Sequence, residues 1–332
     1  MQNTQRLFLL LLKGIESCMR ITSDQRYRKK IKAAHLIYKE RLPLQEVAQK
    51  LCVSRPTLTK FIDEILDEGI VSIQINDLNN YQQMVELGCS VAHKYNIRDA
   101  IIVEGETQDD IINNIGSAGA NYLLDNLKNN LKIGISGGLT INALLTQLNP
   151  TSQFKNIQVV ASSGGSLYAD TNYHPSILAQ YLAIILHGVS HYIYAPTYAD
   201  NKAQYDMLIQ NTQIKTSLDI CRSVDIVLVG IGSKQNSIAY LPKPIAEELR
   251  EKSLNGLSGG INALLLDKNG NPFKSPVSDL FIGLDYEALK KTKTVVALAG
   301  GSGKHTAIKA ALEGGYVHVL ITDKQTAEYL LA

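Results

Sequence analysis

Two glycine-rich loops carry the residues whose types and spacing best suit anion binding. They read GISGGLT at 134–140 and AGGSGKHT at 299–306, and each lies between a strand-like apolar run and a helix-like segment. Small residues let backbone N–H groups approach an anion, and a helix N-terminus adds partial positive charge. Thr140 can add a hydroxyl and Lys304 a full charge. The two loops therefore predict a phosphate site.

Neither loop completes a standard nucleotide motif. A P-loop ending at Lys304 would need glycine at 298 and Ser or Thr at 305, where the chain has Leu298 and His305. The dinucleotide fingerprint also lacks its third glycine. The run 134–138 matches the nucleophile elbow of hydrolases, but a hydrolase would need a histidine and a carboxylate converging on Ser136. Simple turn chemistry is the remaining alternative for these glycines.

Two further segments could supply polar contacts. One is GIGS at 230–233, which contains Gly232, and the other is the cluster Asp170, Asn172 and His174 ahead of a helix-like segment. Hydroxyl-rich ligands need such side chains, although a solvated loop explains each residue equally well. No second histidine and no cysteine stands at metal-site spacing from His174, and no two cysteines form C-x-x-C. We therefore expect no metal and no cofactor.

The N-terminal segment contains a different motif, LPLQEVAQKLCVSRPTLTKFIDEILDEG at 42–69. It predicts a short helix at 44–51, a break at Cys52, and a second helix that Ser54 caps and Pro56 helps to start. The second helix has one apolar stripe: Leu58, Phe61, Ile62, Ile65 and Leu66. This arrangement predicts a helix-turn-helix followed by a short strand at 70–75. Cys52 stands where the turn usually has glycine.

The polarity of the second helix favours DNA recognition. The start of such a helix reaches base edges while its far end leaves the groove. Acidic residues lie near the far end, and the candidate DNA-binding residues lie at the start: Ser54, Arg55, Thr57, Thr59 and Lys60. Residues 1–80 carry a balance of +4, whereas the remainder carries −2. A helical hairpin with a solvated charged face is the alternative.

Glycine content divides the chain, because only three of the 24 glycines lie in residues 1–97. The remainder alternates apolar strands with amphipathic helices, which predicts a doubly wound α/β domain with a parallel sheet. The strands are expected at 100–103, 131–135, 157–161, 191–195, 225–231, 294–299 and 317–322. We expect a leader at 1–21, an all-α helix-turn-helix domain at 22–78, a linker helix at 79–97 and an effector domain at 98–332.

Composition limits the function classes. The 332 residues are 45% hydrophobic with a net charge of +2, so the chain is long enough for two domains and is not intrinsically disordered. No apolar run approaches the ~20 residues of a membrane span. Four scattered cysteines make no disulfide framework, and the leucine run at 7–12 is too short for a signal peptide. These features predict a cytoplasmic protein.

The combination resembles the SorC family of sugar-responsive transcriptional regulators, which are sometimes grouped with DeoR-type regulators. The resemblance extends from about Thr22 to the end, and LAGGSGKHTAIKAALEGGYVHVLITDKQTAEYLL at 298–331 is its most specific part. The other matching segments are the helix-turn-helix at 42–75, GISGGLTI at 134–141, LVGIGS at 228–233 and INALLLDKNGNP at 261–272.

The resemblance implies a helix-turn-helix reader of operator DNA and an effector domain similar to sugar-phosphate isomerases and deaminases. It implies a phosphorylated sugar effector and a homodimer or homotetramer. It assigns the phosphate to Gly138, Thr140, Gly301 and Lys304, and the sugar to Gly232 and the segment from Asp170 to His174. The sequence departs from the family at Gly260, where an Asp is usual, and at Asn262, where a small cysteine-like residue is usual.

The leading interpretation is therefore a regulator of a carbohydrate operon and not an enzyme. The alternative is a sugar-phosphate isomerase or deaminase with an accessory N-terminal domain, in which Asp170 is the obvious candidate for the general base. A helical interaction module that binds no DNA is a third possibility.

Overall fold

The computed structural model describes residues 24–74, 81–166, 173–251 and 255–332. The leader predicted at 1–21 and Asp170 lie outside these ranges. The chain divides between Leu78 and Asn79 into two compact units.

Within residues 24–74, the N-terminal unit is built from three helices. Helix α1 covers residues 24–34 and continues into a π-helical turn at His35–Lys39, α2 spans Leu44–Lys50, and α3 spans Arg55–Asp67. Their apolar faces share one small core: Ala33, Ala34, Leu36, Val47, Ala48, Leu51, Leu58, Phe61 and Ile65. The predicted pair of helices is present. Of the predicted apolar stripe, Leu58, Phe61 and Ile65 are buried and Ile62 packs against them, and these residues hold α3 to the other two helices. Leu66 was also expected on the buried face but is 40% exposed.

The turn between α2 and α3 shows how the sequence accommodates the unusual Cys52. This residue has φ 51°, the left-handed region that favours glycine. Ser54 then caps α3 by accepting a hydrogen bond from the Thr57 N–H at 3.3 Å. The turn therefore keeps the geometry of a helix-turn-helix at a cost in backbone strain.

The short strand predicted at 70–75 does not form over residues 70–74, and Ile75 lies outside the described residues. Gly69 takes φ 68°, and the Ile70 and Val71 N–H groups both donate back to the Ile65 carbonyl, at 3.0 and 3.3 Å. This is a helix C-terminal motif. Ile70 and Val71 pack on the three-helix core. The alternating apolar residues that suggested a strand therefore end α3 and pack on its core, and residues 70–74 pair with no strand.

The acidic end of α3 is tied to α1. Lys30, which is only 6% exposed, contacts Glu68 at 2.5 Å and Glu64 at 3.1 Å, and Arg26 contacts Glu64 at 2.6 Å. The hydrogen bond to Glu68 raises the pKa of Lys30, and the hydrogen bond from Arg26 lowers the pKa of Glu64. These two acids therefore have a structural role that the sequence interpretation did not foresee.

The C-terminal unit contains a sheet whose central strands are all parallel, in the order β1-β9-β8-β5-β2-β3-β4. A β6–β7 hairpin pairs antiparallel with the end of β5. The strands are β1 (Asp99–Val103), β2 (Lys132–Ile135), β3 (Gln158–Ala161), β4 (Val189–His191), β5 (Ile226–Gly232), β6 (Leu257–Ile261), β7 (Leu264–Asp267), β8 (Thr294–Leu298) and β9 (Val319–Asp323).

Helices cover both faces of this sheet. They are α4 (Gln82–Tyr95), α5 (Gln108–Asp125), α6 (Leu139–Thr146), α7 (Pro175–Ile185), α8 (Lys202–Gln210), α9 (Thr212–Arg222), α10 (Lys234–Ile238), α11 (Lys243–Glu251), α12 (Tyr286–Lys291), α13 (His305–Glu313) and α14 (Lys324–Leu331). One core lies under α5, α6 and α7, and the other lies under α4, α9, α13 and α14. The predicted doubly wound α/β class is confirmed.

The structure of this unit differs from the sequence predictions at two places. The fourth strand was expected at 191–195 but ends at His191, and the Ala195 N–H bonds to the nearby Ile193 carbonyl instead of a neighbouring strand. The β6–β7 hairpin was not predicted. Its two-residue turn is Asn262-Ala263, with φ 52° and 64°, and Asn-Ala is a much weaker hairpin signal than Asn-Gly.

The left-handed Cys52 generates a paired test. Cys52→Gly should stabilise the N-terminal unit by up to about 1 kcal/mol, because glycine adopts this backbone conformation without a steric penalty. Cys89→Gly, at an exposed site within α4, should instead destabilise its helix by about 0.5–1 kcal/mol. Hydrogen exchange of α3 and α4 amides in the full chain measures both effects. Loss of protection in both variants would contradict the strain at Cys52.

Candidate functional site

A cavity of about 310 Å³ lies at the carboxyl ends of the central strands. Strand order reverses direction between β2 and β5, and ligands of doubly wound folds bind at such a point. The cavity is lined by the loops after β2 and β5, the start of α6, the β6–β7 turn and Lys304. Lys304 is the one charged side chain among the described residues that line it.

The start of α6 supplies backbone donors to the cavity. Gly138 takes φ 128° and provides no side-chain cap, so the first α6 amide with a carbonyl partner is that of Asn142, bonded to Gly138 O at 3.0 Å. The amides of residues 139–141 precede it, as at any helix N-terminus. The buried Thr140 hydroxyl makes no hydrogen bond within the described residues. These donors, together with the helix dipole, suit an anion.

The loop before α6 is fixed by short-range contacts. The Ser136 hydroxyl accepts a hydrogen bond from the Gly230 N–H at 3.0 Å and donates to Gly137 O at 3.2 Å. A Cβ at Gly137 would lie 2.6 Å from Tyr173 O, so this position requires glycine. Within the described residues, no histidine or carboxylate bonds to Ser136. The serine hydroxyl joins the end of β2 to β5.

Lys304 also lines the cavity. It ends a 3₁₀ turn at Ser302–Lys304, where its N–H donates to Gly301 O at 2.9 Å. The residue is half-buried, and burial lowers the pKa of its ammonium group. No carboxylate pairs with this ammonium within the described residues. A buried cation without a partner is costly, so this side of the cavity favours an anionic ligand.

The β6–β7 turn contributes a polar contact that sequence reasoning did not assign to the site. Asn262 lines the cavity, and its Oδ1 accepts a hydrogen bond from Ser162 Oγ at 2.5 Å while its Nδ2 donates to Leu284 O at 3.0 Å. The left-handed backbone at Asn262 suits asparagine better than most residues. Tyr173 and Tyr240 also line the cavity and could contact hydroxyl groups, and burial raises the pKa of Tyr240.

Four of the seven predicted effector residues line this one cavity: Gly138, Thr140, Gly232 and Lys304. Gly301 and His174 do not line it. The Gly301 N–H donates to Asp323 Oδ2 at 2.7 Å and so is not available to a ligand. His174 caps α7, with Nδ1 accepting from the Ser176 N–H at 3.4 Å, and burial lowers the pKa of its ring. Both residues position neighbours of the cavity.

The predicted DNA-binding residues lie at the start of α3, but they are not equivalent. Arg55, Thr59 and Lys60 are exposed. The hydroxyls of Ser54 and Thr57 bond to each other at 2.8 Å, and Ser54 also caps the helix. Ser54 and Thr57 therefore shape the helix start. The Thr59 hydroxyl donates to Arg55 O at 3.2 Å, and the charged groups of Arg55 and Lys60 remain exposed to solvent.

Gln45 was missed by the sequence interpretation. It is exposed at the start of α2, and its Oε1 accepts a hydrogen bond from Arg55 Nη2 at 2.5 Å. This bond orients the guanidinium at the N-terminal end of α3. A glutamine that lies ten residues before an arginine carries no sequence signal for such a contact.

A helix-turn-helix unit on one chain with an α/β unit that encloses a polar, cationic cavity defines a ligand-responsive transcriptional regulator. The Sugar-bind family model, which describes a sugar-binding domain, matches residues 79–332. The chain is 27% identical over 304 residues to the deoxyribonucleoside regulator of Bacillus subtilis, and 26% identical over 306 residues to the sorbitol operon regulator of Klebsiella pneumoniae. Each match covers 91% of this chain and 96% of the relative.

Solved structures agree. The full-length sorbitol operon regulator SorC of Klebsiella pneumoniae superposes with a TM-score of 0.71 at 26% identity, over 93% of this chain and 100% of that chain. A DeoR family transcriptional regulator from Listeria monocytogenes gives 0.65 at 27% identity, over 75% and 99%. This chain belongs to the SorC family of sugar-binding transcriptional regulators, which confirms the predicted family and the predicted class of function. No helix of the described residues is long and apolar enough to cross a membrane.

The unpaired ammonium of Lys304 gives a pH-dependent test. Since its pKa is lowered in the folded state, the lysine opposes folding most at neutral pH, and this penalty falls as pH rises through the lowered pKa and the group loses its proton. Lys304→Met should therefore raise the melting temperature of the ligand-free protein at pH 7, by a margin that narrows towards pH 10. Lys155→Met, at an exposed site, is the control and should change little. A Lys304→Met variant that is less stable than wild type at pH 7 would contradict the missing counter-charge.

Proposed function

We propose that this protein is a cytoplasmic DNA-binding regulator of a carbohydrate-utilisation operon, controlled by a phosphorylated sugar and acting as a homodimer or homotetramer. The observation that carries the proposal is that the half-buried Lys304, which has no carboxylate partner among the described residues, lines one cavity with the N-terminus of α6. The relatives named as regulators of a sorbitol operon and of deoxyribonucleosides support a ligand of this chemical class.

Lys304 and the α6 amides would hold the phosphate, with Thr140 adding a hydroxyl donor. This combination gives an anion both a full charge and aligned N–H groups in a site shielded from water. Asn262, Tyr173 and Tyr240 would meet the hydroxyl groups of the sugar. The volume of about 310 Å³ suits a single phosphorylated monosaccharide.

Effector binding would control DNA affinity through two arrangements of the oligomer. A ligand shifts such an equilibrium only by the difference between its affinities for the two arrangements. The exposed Arg55, Thr59 and Lys60 would contact the operator, with Gln45 orienting Arg55. Thermal-shift screening of the full chain against pentose and hexose phosphates tests the effector class, because a ligand specific to the folded state raises its melting temperature.

We propose that the effector is bound without being turned over. The described residues that line the cavity include no carboxylate and no imidazole that could act as a general base. Assays for isomerisation and for deamination of each sugar phosphate that binds test this point directly. Measurable turnover by the purified chain would favour the enzyme alternative.

Lys304→Ala should abolish the response to the effector, because it removes the one full positive charge that the described residues present to the cavity. Affinity for the operator without effector should remain, because Arg55 and the rest of α3 belong to the other unit. Gel-shift titration with and without the sugar phosphate measures both quantities. An unchanged effector response would rule out Lys304 as the phosphate contact.

Arg55→Ala should weaken operator binding by about 1–3 kcal/mol if the guanidinium contacts a base edge. Measuring the same variant on operator and on scrambled DNA at one salt concentration separates the two kinds of contact. A base contact lowers affinity for the operator alone, whereas a phosphate contact lowers both. Unchanged affinity for the operator would place Arg55 outside the DNA interface.

A further inference from the structure

The carboxylate of Asp323 accepts hydrogen bonds both from the loop at 299–304, which contains Lys304, and from the start of α14. Asp323 ends β9, is 2% exposed, and caps α14 by accepting a hydrogen bond from the Thr326 N–H at 3.0 Å on Oδ1. Its Oδ2 accepts two more, from the Gly301 N–H at 2.7 Å and from the Thr326 hydroxyl at 2.6 Å. Three donors therefore satisfy one buried charge.

The loop is fitted closely around this carboxylate. A Cβ at Gly300 would lie 2.4 Å from Asp323 Oδ2, so only glycine leaves room for the bond from the next residue. Gly301 has φ 93°, and its carbonyl accepts the hydrogen bond from the Lys304 N–H at 2.9 Å. The peptide groups of Gly301 are thus bound on one side by Asp323 and on the other by Lys304. The position of Gly301 sets the position of Lys304.

We propose that Asp323 is a positioning residue for anion binding: its carboxylate fixes Gly301 and thereby holds the Lys304 ammonium against the cavity. The inference rests on the proposed function, in which Lys304 meets the phosphate. Asp323 does not itself line the cavity. Three donors from the loop and from α14 stabilise its negative charge, so this charge repels an anion in the cavity less than a free carboxylate would.

A purely structural role for Asp323 must be separated from this one, since α14 also packs on α4. The Tyr95 hydroxyl donates to Leu330 O at 3.0 Å, and Lys94 Nζ donates to Leu331 O at 3.1 Å. Tyr95→Phe loosens α14 without touching the loop. Asp285 provides a second control, because it caps α12 through the Ala288 N–H at 2.9 Å as Asp323 caps α14.

The test is the affinity of the full chain for inorganic phosphate and for the sugar phosphate that gives the largest thermal shift, by calorimetry at constant ionic strength. Asp323→Asn keeps an oxygen for the Thr326 N–H but turns an amide NH₂ towards the Gly301 N–H. We expect about tenfold weaker binding, as for loss of a buried hydrogen bond to a charged group. Asp285→Asn and Tyr95→Phe should bind within about twofold of wild type.

A second variant reaches the same bond from the other side. Gly300→Ala keeps the aspartate in the sequence, but the new methyl group pushes its carboxylate away from the Gly301 N–H. It should therefore weaken binding of both probes as much as Asp323→Asn does. It also provides the test if Asp323→Asn does not fold. Wild-type affinity in both variants, with binding lost in Lys304→Ala, would overturn the positioning role and leave the effector site standing. Equal losses in Tyr95→Phe would assign the effect to α14 alone and also overturn it. Absence of binding of any probe to the wild type would overturn the site and the inference together.

Discussion

The cavity of the C-terminal unit depends on one electrostatic feature: the Lys304 ammonium has no carboxylate partner among the described residues and shares the cavity with a helix N-terminus. Lys304 and the start of α6 come from segments more than 150 residues apart, and the parallel sheet brings them together at the ends of its central strands. The loop glycines have different reasons: Gly137 lets the backbone pass close to Tyr173 O, whereas Gly138 takes φ 128° with open space around it. Much of the local geometry holds two positive features at one cavity, namely the Lys304 ammonium and the N-terminal end of the α6 dipole. An anion bound there would offset their repulsion.

In the N-terminal unit, some charges form ion pairs and others are exposed. Arg26 and Lys30 pair with Glu64 and Glu68, whereas other basic side chains of the unit are exposed: Lys29, Lys32, Lys39 and Arg41. What remains exposed near the start of α3 is Arg55 and Lys60, with Gln45 beside the former. Exposed positive charge therefore lies both along residues 29–41 and at the start of α3, where a recognition helix would meet DNA. The near-neutral net charge of the whole chain conceals this local arrangement.

The sequence allowed the fold class and most elements to be predicted, because continuous Val/Ile/Leu strands and 3.6-residue apolar stripes are local signals. It also identified Lys304 and Thr140, since loop glycines mark close approach of backbone. Contacts between distant residues were not predictable: the bond from Gly301 to Asp323 spans 22 residues and removes a donor assigned to the ligand. Asn262 was missed because its hairpin lacks the usual Asn-Gly turn. The strand expected at 70–75 failed because alternation also fits a chain that terminates a helix and packs on its core.

The partnerless lysine also has a consequence for the lifetime of the protein in a cell. Proteases act on unfolded chains, and the unfolded fraction depends on everything that binds only the native state. A ligand that supplies the missing counter-charge to Lys304 lowers that fraction, so occupied molecules are degraded more slowly than empty ones. The amount of regulator, and not only its conformation, would then follow the supply of its ligand.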